Sequence, residues 1–239
     1  MTLVLFMFLG LLIAGLILIA FEKRNVSSRR LFLILFSLFG IVYYLYHWAT
    51  KIMIPRDLLI ILPLQLCDLA VFIMPIGLIT GNRKIMDFLF YVCGLGALSA
   101  IVLMAMASQD AFYEMNPNFF FSHFAILLLP LLMIIWGMYS PKPSPKTALR
   151  LTITLMVLGA FMHGLNLFLN TAFQAESYYF FTIIKTGILV SPLLGLFAKI
   201  IPYDYFYLML TFPILYLYMV LVYWVRRIII KRPELKNSP

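Results

Sequence analysis

The stretch LLIILPLQLCDLAVFIMPIGLIT, residues 58–80, decides the fold class of this chain. It is an apolar run long enough to cross the hydrocarbon core of a bilayer, which takes about 20 helical residues. Gln65, Cys67 and Asp68 stand together near its middle. Polar and ionisable groups at that depth must pair or face a cavity, so this stretch indicates a functional site inside a membrane.

The composition of the whole chain agrees with that interpretation. Of 239 residues, 64% are hydrophobic and 11% are charged, whereas a soluble domain has about 45–50% apolar and about 25% charged residues. We therefore expect an all-α, polytopic membrane bundle, with a single domain over 1–230 and a disordered cytoplasmic tail over 231–239. Apolar runs predict seven spans, at 3–21, 31–50, 58–80, 85–107, 119–140, 151–172 and 203–225.

The basic residues predict the orientation. Most of them fall in alternate loops and in the tail after residue 225, which places the N-terminus outside and the C-terminus in the cytoplasm. An eighth span at 180–200 would move the basic tail outside, so we expect that segment to be interfacial or re-entrant. Because the net charge of +9 is scattered among short loops, it indicates topology and we expect no nucleic-acid partner.

Most polar residues within the predicted spans fall in the outer half of the bilayer. His163, Asn166 and Asn170 have the spacing i, i+3, i+7 and share one helix face. We expect one pocket, open to the outer side and lined by a shared set of side chains: Gln65, Cys67, Asp68, His123, His163, Asn166 and Asn170.

Four short motifs occur in an order that resembles a known family. They are LPLQLC at 62–67, GLGA at 94–97, FFSH at 120–123, and Asn166 followed by Asn170. The chain resembles the YwaF-like bacterial integral membrane family. That family is similar to the animal transmembrane acyltransferase that makes ether phospholipids and, more distantly, to the androgen-induced hydrolases of fatty-acid esters.

The resemblance implies a function in a bacterial inner membrane. It implies that Cys67 is a nucleophile and His123 its partner in a membrane-embedded lipid acyltransferase or acyl-ester hydrolase. The substrates would be phospholipid or lysophospholipid acyl donors and acceptors, drawn from the lipid bilayer. An acyl-thioester intermediate on Cys67 would need no cofactor and no metal. We expect Cys67 and His123 to approach within direct or one-water hydrogen-bond reach, beside a cavity with an apolar opening.

Two other functions remain open from the residues alone. Three histidines with Asp68 and Cys67 would supply ligands for a zinc hydrolase, although no two histidines have the helical spacing i, i+3 or i, i+4. The polar stripe would also suit a small-solute transporter or a membrane sensor. The chain shows no inverted repeat of the transporter kind.

Overall fold

A computed structural model describes residues 2–52, 62–105, 117–185 and 192–231. Every regular element in those residues is helical. The α-helices are α1 (Thr2–Phe21), α2 (Val26–Ile52), α3 (Leu66–Thr80), α4 (Arg83–Asp87), α5 (Gly94–Ala105), α6 (Pro117–Ile135), α7 (Pro145–Phe173), α8 (Pro192–Ile200) and α9 (Thr211–Lys231). A π-helix covers Phe88–Cys93, and 3₁₀ turns cover Tyr179–Phe181 and Phe206–Leu210. The all-α class is confirmed.

The predicted number of seven spans is wrong when helix length and hydropathy are the criteria. Within the described residues, four helical stretches are long and apolar enough to cross a membrane: Val26–Thr50, Arg83–Val102, Pro145–Phe173 and Phe206–Ile228. Three other apolar stretches of helix are shorter: Met7–Phe21, Leu66–Thr80 and Phe119–Ile135. In the segment predicted to be interfacial or re-entrant, α8 has nine residues, about 14 Å of helix, which is too short to cross a bilayer.

Two of the shorter helices have identifiable boundaries. The run at 58–80 was predicted as one helix, but α3 begins at Leu66, after a non-helical segment that contains Pro63. Proline has no N–H to give to a helix and restricts the residue before it. α6 ends at Ile135 rather than at 140 because Gly137, with a φ of 71°, closes a Schellman motif. The Gly137 and Met138 amides donate to Ile134 and Met133.

The most buried of the four long helical stretches in the described residues, Arg83–Val102, contains a π segment. α4, the π-helix and α5 follow one another without a break, and all six residues of Phe88–Cys93 are buried. A π segment inserts an extra residue into the helical ladder and is frequent at functional sites.

The chain divides into two compact units. The first contains residues 1–140 and 169–177, and the second contains 141–168 and 178–239. In the first unit, Tyr139 Oη donates to the buried carboxylate of Asp87 at 2.7 Å. In the second, a small apolar core forms around Phe197, Ala198 and Tyr207.

Candidate functional site

Cys67 lies in the first turn of α3, not in the middle of a span as the sequence predicted. The Gln65 amide donates to the Asp68 carboxylate at 3.0 Å, and the Leu69 amide donates to the Gln65 carbonyl at 3.0 Å. The Asp68 side chain thus caps the N-terminus of the helix, as an acidic residue at the third helical position does in a capping box. Cys67 is a free thiol and half-buried, while Cys93, also free, is fully buried.

His123 is a buried residue of α6, with only 8% of its surface exposed. Its Nδ1 lies 2.7 Å from the carbonyl oxygen of Phe119, one turn earlier. A carbonyl can only accept, so Nδ1 carries the proton and the neutral ring has its lone pair on Nε2. The Phe119 ring packs on the imidazole with 4.0 Å between ring centroids, which further fixes its orientation.

The structure places Cys67 and His123 in the same unit. α3 and α6, which carry them, pack against each other. Within the described residues, the two side chains share no direct hydrogen bond, so this form of the predicted contact is absent. Contact through one water stays a prediction.

The first unit contains a small apolar pocket, which neither Cys67 nor His123 lines. Its walls come from α2, α3 and α6 of the first unit, and the lining residues are Phe36, Ser37, Gly40, Val71, Met74, Phe121, Ser122, Ala125, Ile126 and Leu129. Val71 and Met74 have the spacing i+4 and i+7 from Cys67, so the face of α3 that carries the thiol also lines the pocket.

In the second unit, Asn166 holds a loop rather than facing an open space. It is fully buried; its Nδ2 donates to the Tyr179 carbonyl at 2.8 Å and to Thr182 Oγ1 at 2.9 Å. Its Oδ1 accepts from the Tyr179 amide at 2.9 Å. His163 Nδ1 lies 3.3 Å from the same Thr182 hydroxyl, and the Tyr205 ring stacks on the imidazole.

Asn170, which belongs to the first unit, has the same kind of role toward Ser177. Its Oδ1 accepts from the Ser177 amide at 2.6 Å and from the Ser177 hydroxyl at 2.9 Å, and its Nδ2 donates to the Ser177 carbonyl at 3.1 Å. The loop that these asparagines hold has positive φ angles at Gln174, Glu176 and Phe180. Such angles are costly outside glycine and persist only when surrounding contacts enforce them.

Sequence reasoning therefore grouped residues that the structure assigns to different units. Gln65, Cys67, Asp68, His123 and Asn170 belong to the first, and His163 and Asn166 to the second. Reasoning from the sequence missed Thr182, the shared partner of His163 and Asn166. No motif marks Thr182, which is a lone hydroxyl in an apolar context. Ser122, which belongs to the FFSH motif, lines the apolar pocket together with Ser37.

The metal-ligating side chains are scattered in the described part of the chain. No group of three or more His, Cys, Asp or Glu side chains there is arranged to hold a metal ion.

The long apolar helices define an all-helical integral membrane protein. The bilayer is its environment. The chain belongs to the TMEM164 family, whose profile matches residues 1–227. No curated protein matches the chain, and no solved structure matches it either.

Proposed function

We propose that this protein is a membrane-embedded lipid acyltransferase or acyl-ester hydrolase, with Cys67 as nucleophile and His123 as general base. The observation that carries the proposal is the hydrogen bond from His123 Nδ1 to the Phe119 carbonyl. It fixes the tautomer in which Nε2 can accept a proton, as a base for a thiol must do. The resemblance to lipid acyltransferases, through the motifs that contain Cys67 and His123, points to the same pair.

The position of Cys67 in the first turn of α3 bears on its reactivity. Burial and the adjacent acidic Asp68 disfavour a free thiolate, so the thiol needs His123 to remove its proton during the attack. The first N–H groups of a helix also have no carbonyl partner within that helix. The Cys67 amide therefore offers a donor to the oxyanion that forms on the attacked carbonyl, and a fixed donor of this kind contributes strongly to acyl transfer.

The reaction has two balanced steps. In the first, the Cys67 thiol gives its proton to His123 Nε2 while sulfur bonds to the ester carbonyl carbon. The carbon–oxygen ester bond breaks and the leaving lysolipid oxygen takes the proton from the imidazolium. In the second, the hydroxyl of an acceptor lipid, or water, gives its proton to Nε2 and attacks the thioester, and sulfur leaves with that proton.

The surroundings of the thiol favour transfer over hydrolysis. The pocket on the same face of α3 is apolar, and so are the helices that form it. Water is scarce in such a place, whereas lipid hydroxyls can diffuse to it. We infer phospholipid acyl donors and lysophospholipid acceptors. For the topology we propose the arrangement predicted from the basic residues, with the N-terminus outside and the C-terminus in the cytoplasm. It needs an odd number of crossings, so at least one of the shorter apolar helices would cross together with the four long ones.

The test is acyl exchange by the purified protein in lipid nanodiscs. Phosphatidylcholine and phosphatidylethanolamine with a deuterated acyl chain serve as donors and an unlabelled lysophospholipid as acceptor, followed by mass spectrometry. Cys67→Ala should abolish exchange and also the hydroxylamine-sensitive acyl adduct on the peptide that contains residue 67. His123→Gln should reduce the rate by about 10²–10⁴-fold, the usual contribution of a general base.

Cys93→Ala is the matched control, because Cys93 is the other free thiol of the first unit. This variant should keep the adduct on the peptide with residue 67. Exchange at the wild-type rate in Cys67→Ala would refute the assignment of the nucleophile. Absence of both exchange and adduct from the wild-type protein with every donor would refute the proposed function itself.

A further inference from the structure

We propose that one end of the first unit binds the phosphate headgroup of an anionic phospholipid. We call this region the basic end and define it by six side chains: Lys23, Arg24, Arg29, Arg30, Arg83 and Lys84. They come from the loop between α1 and α2, from the first residues of α2 and from the start of α4. The inference goes beyond the proposed reaction and does not depend on the thiol or the imidazole.

Hydrogen bonds from two arginines bring these segments to one end of the unit. Arg30 Nε donates to the Leu78 carbonyl at 3.0 Å and its Nη2 donates to the Ile79 carbonyl at 2.9 Å, so the start of α2 lies against the end of α3. Arg83 Nη2 donates to the Ser140 carbonyl at 3.4 Å, in the segment that follows α6. Basic side chains that are far apart in the sequence therefore lie at the ends of neighbouring helices.

Arg29 belongs to the same end through the turn between α1 and α2. Its Nε donates to the Phe21 carbonyl at 3.0 Å and its Nη2 donates to the Glu22 carbonyl. The guanidinium also lies over the Trp136 ring, with 5.7 Å between Cζ and the ring centroid. Trp136 directly follows α6, so Arg29 and Arg83 approach the same segment.

The positive charge of the basic end is not matched by exposed acidic side chains. In the described part of the chain, the acceptors of its three hydrogen-bonded arginines are backbone carbonyls, which orient a guanidinium without neutralising it. The acidic residues of these segments are Glu22, which is exposed, and Asp87, whose buried carboxylate accepts from Tyr139. A guanidinium has five N–H donors, so Arg30 keeps three for a further acceptor.

The length of α2 puts the basic end at the level of lipid headgroups. α2 has 27 residues, about 40 Å of helix, whereas the hydrocarbon core of a bilayer is about 30 Å thick. A helix of this length that crosses the core extends into the headgroup region at both ends. Arg29 and Arg30 lie in the first turns of α2, and Arg83 and Lys84 begin another stretch long enough to cross, Arg83–Val102.

The chemistry of the basic end selects an anionic lipid. Guanidinium groups bind phosphate oxygens through paired hydrogen bonds. Phosphatidylcholine carries a cation beside its phosphate, which several basic side chains would repel, whereas phosphatidylglycerol carries none. Clusters of basic residues beside membrane helices attract anionic lipids for this reason. Arginines that carbonyls already hold in place also lose less side-chain freedom when they bind.

Native mass spectrometry of the full chain in a neutral detergent measures this binding. The probes are phosphatidylglycerol and phosphatidylcholine with identical acyl chains, and we expect phosphatidylglycerol to bind at least about ten-fold more tightly. Inorganic phosphate in large excess should leave the lipid bound, because it has no chains to lie along the apolar helices. Displacement of the lipid by inorganic phosphate would identify a soluble anion as the ligand and overturn the proposal.

Two double variants locate the binding at the basic end. Arg30→Gln with Arg83→Gln removes two oriented guanidiniums, and Arg24→Gln with Lys84→Gln removes two exposed charges. Each pair should weaken phosphatidylglycerol binding by about ten- to thirty-fold, because one basic residue near an anionic headgroup contributes about a five-fold factor. The second pair decides the test if loss of the Arg30 contacts with α3 prevents folding, which thermal unfolding in detergent reports.

Lys185→Gln with Lys199→Gln is the matched control, because it removes the same charge from exposed positions of the second unit. This variant should bind phosphatidylglycerol as the wild-type protein does. An equal loss in the control would overturn the proposal, since the total charge rather than the basic end would then set the affinity. Equal affinity of the wild-type protein for the two lipids would overturn it as well.

Discussion

Replacing Asn166 by leucine should cause a large loss of stability. The side chain is fully buried, and its amide makes three hydrogen bonds, two to the backbone of Tyr179 and one to the hydroxyl of Thr182. Leucine has a similar volume but no polar atoms. The change therefore removes the hydrogen bonds while leaving the space filled.

The magnitude follows from the groups left behind. The N–H and carbonyl of Tyr179 and the Thr182 hydroxyl each lose a partner in a buried place. Such a loss costs about 1–3 kcal/mol per group in soluble proteins, and hydrogen bonds between membrane helices are worth about 0.6 and at most about 1.7 kcal/mol. Three bonds together give about 2–5 kcal/mol.

Reversible unfolding in detergent, followed by tryptophan fluorescence against denaturant, measures this loss. Asn25→Leu is the comparison, because Asn25 is exposed and its side chain accepts only the first-turn amide of Ser28, at 2.8 Å. Loss of that helix cap should cost about 1 kcal/mol. If Asn166→Leu were no more destabilising than Asn25→Leu, the view that Asn166 holds the loop would be wrong.

Two further changes test local packing and charge. Gly159→Ala should lower the stability by about 1 kcal/mol, because the added Cβ would stand 3.0 Å from the Tyr205 ring. Gly164→Ala should raise the stability by roughly 0.5–1 kcal/mol, because an added Cβ there meets nothing within 4 Å. Thermal unfolding measures both changes, and equal shifts of the two variants would contradict this reasoning. Burial, and then the hydrogen bond to Asp87, raises the pKa of Tyr139 above its usual value of 10.0. Because the folded state holds the phenolic proton more tightly than the unfolded state, protonated Tyr139 adds to the free energy of unfolding. This stabilisation is complete below about pH 10 and is lost as the pH rises further. Tyr139→Phe should therefore be less stable at pH 8 and decline less steeply above pH 10, and an unchanged slope would argue against the raised pKa.

Helix bounds predicted from the sequence agree with the structure where charged residues mark the end of an apolar run. The run at 3–21 corresponds to Thr2–Phe21, because charged residues follow it directly. The prediction was wrong at residues 58–80, where the apolar run is continuous but the helix begins only at Leu66. The non-helical segment around Pro63 and the helix start at Leu66 depend on hydrogen bonds by Gln65 and Asp68, which hydropathy does not register.

The functional roles of the site residues stay a prediction. Cys67 and His123 were singled out from the sequence, and the structure adds that they occupy packed helices of one unit and that Phe119 fixes the imidazole tautomer. Asn166 was expected to face a shared pocket, yet it binds a loop 13 residues further along the chain. Spacing on a helix predicts which side chains share a face, but not which segment folds back onto that face.

The sequence alone therefore determined that this chain is a helical membrane protein with a thiol and an imidazole inside its apolar runs. Composition and periodicity are sufficient for that conclusion. A long apolar segment is costly to expose to water, and in lipid it must satisfy its own backbone hydrogen bonds by forming a helix, whatever its neighbours are. The three-dimensional structure decided where α3 begins, which tautomer His123 adopts, and that the face of α3 carrying Cys67 lines an apolar pocket. The first two depend on hydrogen bonds within one helical turn, between Gln65 and Asp68 and between His123 and Phe119, which composition does not register. The pocket depends on residues far apart in the chain and exists only once α2, α3 and α6 have packed.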